Sequence, residues 1–294
     1  MDWKRTVNDA LSRTTGYQLR RVEPRSTPGP RRRRRGATSE LRPGDRLVEA
    51  PVFVLCTLRS GSTLLRVLLN SHSQIHAPHE LHLRYVSVRL DRKWSKRSMK
   101  EMNLDARSLG YLLWDRLLHR ELSSSGKRMI VDKTPNNVFM VDRIRECWPD
   151  ARFIFLLRHP AAIARSWQEV ATTDSEKEID LIRRYCEALE RARDSHDGVT
   201  VRYEDLTADP VATTQRLCEF LGVEWEPRML EYGKFDHGRY RMGLGDFAEK
   251  IKKGEIQAPE APPDQIPEPL RAASAAWGYS TGLQQRSHQE PTPS

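Results

Sequence analysis

The chain has 294 residues, with 49 Lys and Arg against 40 Asp and Glu, a formal charge of +9 and 38% hydrophobic residues. That is enough for one sizeable core, and no apolar run approaches the roughly 20 residues of a membrane-spanning helix. Cys56, Cys147, Cys186 and Cys218 form no CxxC pair and no metal-ligand rhythm, which argues against a disulfide scaffold or a structural metal.

The first residues lack the apolar core of a signal peptide, so a cytoplasmic, reducing setting is the expectation. Thirteen of the basic residues and only six of the acidic ones fall in residues 1–50. The basic excess is therefore a property of the amino-terminal segment, and the rest of the chain is close to balanced, which argues against a general polyanion binder or a specific nucleic-acid partner. Residues 4–22 carry weak helical markers (Val7, Leu11, Leu19). Pro24 to Gly44 reads as a flexible linker, and its run Arg31 to Arg35 suits weak contact with anionic surfaces. The expected organisation is a basic segment and linker over 1–47, one domain over 48–279 and a disordered tail over 280–294.

Pro51 to Asn70, PVFVLCTLRSGSTLLRVLLN, reads as a buried strand (Val52 to Cys56), a tight loop (Thr57 to Ser62) and a helix from near Thr63. A strand that enters a helix through small residues aims unpaired N–H donors at an anion. Ser60, Gly61, Ser62 and Thr63 supply that loop and its hydroxyls, and Arg59 adds a fixed cation. Ser71 to Lys100 is polar, rich in His and Arg and without a readable period. Leu104 to Leu122 has helical spacing, with Leu109, Leu112, Leu113, Leu117 and Leu118 as its expected core face. Arg128 to Val131 is a strand that leads into Asp132–Asn137, followed by a helix over Val138 to Cys147.

RFIFLL, Arg152 to Leu157, is a second doubly buried strand. A helix begins at Pro160 and runs through Trp167, and another spans Ile179 to Arg193. Val199 to Tyr203 is a fourth strand, and Asp209-Pro210 opens a helix that closes at Gly222. Gly233 to Gly254 reads as a functional loop, Pro259 to Pro269 as extended chain, and Leu270 to Trp277 as a last helix. Strands alternating with helices predict an α/β fold of three layers with a central parallel sheet. In such sheets the ligand lies beyond the carboxyl ends of the strands, so Thr57–Ser62, Asp132–Thr134, Arg158–His159 and Tyr203–Asp205 should converge on one crevice.

The loop departs from the nucleotide-hydrolase form GxxxxGK followed by Ser or Thr. Cys56 stands in place of the first Gly and Ser62 in place of the Lys that reaches the outer phosphates of a triphosphate. With those in view, TLRSGSTLLRVLLNSHSQIHAPHEL resembles the 5′-phosphosulfate motif of sulfotransferases that use 3′-phosphoadenosine 5′-phosphosulfate (PAPS). FIFLLRHPAAIARSW resembles their 3′-phosphate motif, with Arg158 and Ser166 at its eight-residue separation. The resemblance covers roughly Pro51 to Gly278, and it is nearest to the bacterial and tyrosylprotein-like branches.

The resemblance implies a P-loop NTPase-like sulfotransferase fold and metal-independent, in-line transfer of a sulfuryl group from PAPS, with 3′,5′-ADP (PAP) released. The acceptor would be a small molecule, a glycolipid or another hydroxyl-bearing compound. Glu80 would be the general base, with His79 and His82 as the alternatives beside it. Lys133 would neutralise the leaving oxygen, with Arg59 and the loop N–H groups as further electrostatic stabilisers. Tyr203 would lie near the nucleotide, and Gly243, Leu244 and Gly245 would belong to a cofactor-covering loop. Two other readings stay open from the residues alone: a P-loop small-molecule or nucleotide kinase using ATP and Mg²⁺, and a non-catalytic protein that binds polyanions or membranes through its basic segment. Oligomeric state is not readable from the sequence.

Overall fold

The computed structural model describes residue 41 and residues 44–169, 175–238, 251, 253–258 and 261–279, all within a compact unit that begins at Ser39. The expected helix over 4–22, most of the linker with Arg31–Arg35, the Gly243–Gly245 stretch and the tail from Ser280 lie outside the described residues. The packed fold takes in Leu41, which is buried. It also takes in Leu47 and Val48, whose backbone N–H groups donate to the buried carboxylate of Asp115.

Five parallel strands form one sheet in the order β2-β3-β1-β4-β5. They are β1 (Val52–Cys56), β2 (Ile75–His76), β3 (Met129–Asp132), β4 (Arg152–Leu157) and β5 (Gly198–Arg202). β1 lies at the centre, with Phe53 opposite Asp132 on one side and Phe153 on the other. The chain passes from β1 to the β2–β3 side and then crosses to β4 and β5. The strand order therefore reverses at β1, the place where a crevice opens in sheets of this kind.

Alternation along the strands explains why both faces are covered. Phe53, Leu55, Phe153, Phe155 and Leu157 belong to one buried cluster, and Val52, Val54, Cys56, Ile154 and Leu156 to the other. Successive side chains point to opposite faces, so a strand that is apolar at every position needs a layer of helices on each side. On the first face lie α3 (Ala106–Ser125), α4 (Val141–Cys147), α5 (Pro160–Gln168), α6 (Ser175–Ser195) and α9 (Arg271–Ala276). On the second lie α1 (Ser62–Ser71), α7 (Tyr203–Ala208), α8 (Pro210–Leu221) and the 3-10 turns over Pro227–Lys234. The four cysteines are buried and free.

Several expectations shift. The long helix α3 is present, but Leu113 is exposed, and its buried face is Tyr111, Trp114, Asp115 and Leu118. The larger rings take the core, where Trp114 stacks near Trp148 at 6.5 Å. The helix expected from Val138 divides into a 3-10 stretch, Pro135–Phe139, and α4. Tyr203 begins α7 and does not end β5. The polar region holds a helix that its pattern does not announce, α2 (Lys93–Glu101).

The chain after α8 is bound back to α1 by a buried histidine. His237 Nε2 donates to the carbonyl oxygen of Tyr232 at 2.8 Å, and Nδ1 accepts from Asn70 at 3.0 Å. The buried Arg66 of α1 donates to the carbonyl oxygen of His237. Further on, Gly233 and Gly254 press backbone to backbone, so close that a Cβ on Gly233 would lie 2.6 Å from the Cα of Gly254.

Burial, with Arg66 and Lys127 adding to it, holds His237 below its ordinary value of 6.5, against the Tyr232 carbonyl and Asp236. The unfolded chain then takes up a proton near pH 6.5 that the native chain refuses, so this contribution is lost as pH falls below 6.5. His237→Gln, which keeps a donor and an acceptor, should flatten the loss of thermal stability between pH 7 and pH 5. Melting curves with the same pH slope in both proteins would remove His237 from that role.

Candidate active site

The site begins at the end of β1. Ser60 is fully buried and its hydroxyl donates to the Thr57 carbonyl at 2.8 Å, which closes the loop. Arg59 (φ 59°) and Gly61 (φ 80°) both lie in the left-handed region, where a residue other than glycine is held at a cost. Gly61 is the N-cap of α1 and offers no side chain to cap it, so the start of the helix presents donors and positive potential. A Cβ on Gly61 would lie 2.1 and 2.3 Å from ring carbons of Tyr203. Glycine is therefore required here twice, by its dihedral and by the ring packed on it.

Two arginines and a serine form the adjoining wall. The Arg59 guanidinium donates to Ser166 Oγ through Nε at 3.1 Å and Nη2 at 3.0 Å. Arg158, just past the end of β4, donates to the Arg59 carbonyl oxygen at 2.7 Å and lies 4.6 Å from the Tyr203 ring centroid. The sequence pairs Ser166 with Arg158; the structure instead gives its hydroxyl to Arg59 and brings all three together. Burial, then the charge of Arg158, lowers the pKa of Arg59, partly offset by Glu169. Two like charges side by side at a helix N-terminus form a strong anion site.

The third group comes from the chain after β2 and from the end of β3. Lys133 Nζ donates to Glu80 Oε1 at 2.5 Å, with both side chains buried. Glu80 Oε2 faces His82 Nε2 at 3.4 Å. His82 also lies in the left-handed region, at φ 51°. This segment is positioned by Thr134, whose Oγ1 accepts from the backbone N–H of Leu81 and of His82 at 3.1 and 3.4 Å and donates to Asp132 at 2.9 Å. Asn137 donates to the other Asp132 oxygen. Burial raises the Asp132 pKa, and Asn137 and Thr134 work against that rise. Burial pushes the neighbouring Cys56 thiol up to about 11, so it stays protonated and is not a nucleophile.

These groups border a cavity of about 430 Å³, lined by Arg59, Gly61, Ser62, Thr63, Glu80, His82, Arg158, Ser166 and Tyr203. Three of the four expected strand ends reach it, through Arg59, Gly61 and Ser62, through Arg158 and through Tyr203; past β3 it is Pro135 and Asn136 that line the cavity, not Asp132 or Thr134, which are buried. Ser60 and Lys133 are buried and do not line the cavity, and His79 is exposed and does not line it either. The sequence reading omits the apolar wall of Trp167, Tyr232, Ile251 and Ile256, and the carboxylates Glu169 and Glu255. Trp167 adjoins Ser166 and could have been found from that position. Ile251 lies inside the stretch from Gly233 to Gly254 and Ile256 just beyond it, and neither carries a signal of its own.

A family model described as "Sulfotransferase family" matches residues 51–227, more than half of the chain. The nodulation protein NoeE of Sinorhizobium fredii is 33% identical over 132 residues, which cover 40% of this chain and 32% of that protein. Protein-tyrosine sulfotransferase 2 of Gallus gallus is 21% identical over 201 residues, 62% of this chain and 53% of that protein. The chain thus spans about a third to a half of the length of these two relatives. Among solved structures, the sulfotransferase domain of the curacin biosynthetic pathway has the same fold. Its TM-score is 0.58 at 20% identity, over 79% of this chain and 99% of that one.

Gly61→Ala should destabilise the chain by more than about 1 kcal/mol, because alanine meets both the positive φ and the ring. Tyr203→Ala in the same chain should recover only the steric part, as measured by denaturant unfolding of the two single variants and the double variant. A Gly61→Ala protein as stable as the parent would show that the ring does not press on this position.

Proposed function

The chain belongs to the sulfotransferase family, and from that premise we propose that it transfers the sulfuryl group of PAPS to a hydroxyl of an acceptor, releasing PAP. The observation that carries this reading is the wall formed by Arg59, Arg158 and Ser166 beside the start of α1. A co-substrate with phosphate at both its 5′ and 3′ positions answers two neighbouring cations and an uncapped helix N-terminus. Ser60, Gly61, Ser62 and Thr63 would hold the 5′-phosphosulfate. Arg158 and Ser166 would hold the 3′-phosphate, and Arg59 would lie between the two ends. Tyr203, and beyond the described residues Gly243, Leu244 and Gly245, would cover the nucleotide.

When bound, PAPS supplies an activated sulfur–oxygen bond. Glu80 is the general base: it takes the acceptor proton as the hydroxyl oxygen bonds to sulfur and the bond to the bridging phosphate oxygen breaks. Lys133 donates to Glu80 and, buried beside the cavity, would turn its remaining N–H donors into it to meet the leaving oxygen. His82 faces the second oxygen of Glu80 and is the alternative base. His79, exposed, is the weakest of the three. A kinase reading would need a loop lysine, and Ser62 stands there.

The acceptor class includes small molecules, glycolipids and other hydroxyl compounds. The free, buried thiols suit a reducing compartment.

Titration calorimetry with 3′,5′-ADP, 5′-AMP and ATP–Mg²⁺ should give tight binding of the first only. Arg158→Ala should weaken 3′,5′-ADP at least tenfold and leave 5′-AMP little changed; binding of ATP–Mg²⁺ without 3′,5′-ADP would overturn the reading. Glu80→Gln should lower kcat by about 10²–10⁴ for a general base. A near-normal rate in that variant would transfer the role to His82.

A further inference from the structure

The segment that carries the candidate base continues into a helix that the core does not use. α2 buries none of its nine residues. Only Ser95 and Met99, one turn apart, are half-buried, and they mark its inner face. Lys93, Lys96, Arg97 and Lys100 are all exposed and follow i, i+3, i+4, i+7, the spacing of a single helix stripe. In a globular protein such a stripe commonly holds the apolar residues that face a core. Here it holds four cations and faces solvent.

Among the described residues none of the four has a carboxylate partner, and the neighbouring Asp91 is engaged by Arg89 at 3.3 Å. Like charges at these spacings destabilise a helix. The helix start is also the wrong end for cations, yet Arg92 is the N-cap, Lys93 follows it, and the first turn has no acidic residue. Beside the stripe stands Trp94, 71% exposed, with the Arg97 guanidinium 5.4 Å from its ring. Tyr85 (66%) and Met102 (49%), ahead of and behind the helix in sequence, are exposed as well.

We propose that α2 is an interfacial docking helix that seats the protein on an anionic phospholipid bilayer. The stripe would lie on the headgroup phosphates and Trp94 at the boundary with the acyl chains. A Lys/Arg face with isolated aromatic residues is the pattern of helices that lie in a membrane interface. Single-stranded polynucleotide binders instead combine a basic groove with stacked rings, and α2 stands out from the surface with one Trp. Electrostatics supply most of the attraction, so docking is reversible and weakens with salt. The inference rests on the surface of α2 alone and holds or fails independently of sulfuryl transfer.

The test is flotation of the full chain with vesicles of phosphatidylcholine alone and of phosphatidylcholine with about one third phosphatidylglycerol. The expected result is binding to the anionic vesicles only. Lys93→Ser, Lys96→Ser, Arg97→Ser and Lys100→Ser together should lower the partition coefficient at least tenfold without lowering the melting temperature, since none of these side chains is buried and their mutual repulsion is removed. Trp94→Ala should lower it severalfold. Replacing Arg31–Arg35 with Ser should leave most of the binding in place. Equal binding to neutral vesicles, unchanged binding by the fourfold variant, or loss of binding on replacing Arg31–Arg35 alone would each overturn the proposal. So would binding of heparin or single-stranded DNA through the same four residues by a chain that ignores anionic vesicles.

Discussion

The ring of Tyr203 occupies the space where a side chain on residue 61 would stand, and Arg158 lies over the same ring. Through that one side chain the ends of β1, β4 and β5 are tied together. Each strand only has to be apolar, parallel and in register, which alternation and burial secure. The ladder sets the three carboxyl ends side by side, as far as Cys56 with Leu156 and Leu157 with Arg202, and just past them the ring packs between a glycine and a guanidinium. The anion loop and the cation wall are packed against each other through it.

The charges gathered there are costly for folding. Arg59 and Arg158 approach each other with burial already opposing the charge of Arg59, and Glu80 and Lys133 form a buried pair whose desolvation offsets much of its attraction. Arg59 and His82 are two of only three non-glycine residues with positive φ among the described residues. Strain and repulsion are thus concentrated along one cavity, while the two apolar clusters on either side of the sheet provide the stability to hold them. Thr134 shows how this is managed at the level of one hydroxyl. It satisfies a buried carboxylate and at the same time fixes the backbone that carries Glu80.

What the sequence disclosed follows from where its physics is local. Continuous apolar runs announced β1 and β4, Pro160 and Asp209-Pro210 announced helix starts, and Gly61 after Arg59 announced a turn into a helix. The eight-residue step from Arg158 to Ser166 announced a shared site, but not that Ser166 would bond to Arg59, because that choice depends on side-chain reach across two loops. Of the leucine face expected on α3, Leu112, Leu117 and Leu118 do pack on the core and Leu113 does not, because Tyr111 and Trp114 bury the larger area there. α2 has no apolar period to announce it, because its regular stripe is written in lysine and arginine. The link from Thr134 to Leu81 and His82 joins residues more than fifty positions apart, and no local pattern encodes such a contact.

The backbone contact between Gly233 and Gly254 brings two points twenty-one positions apart in sequence together, and His237 and Ile251, which lie between them in sequence, are tied to α1 and to the cavity wall. Lengthening a closed loop costs little, about 0.6 kcal/mol for each doubling. Chain length between His237 and Ile251 is therefore cheap to change, whereas the two residues themselves are held by what they touch. Two glycines, which carry no side chain of their own, thus fix where that length is closed off, and a methyl group on Gly233 would be enough to force the closure apart.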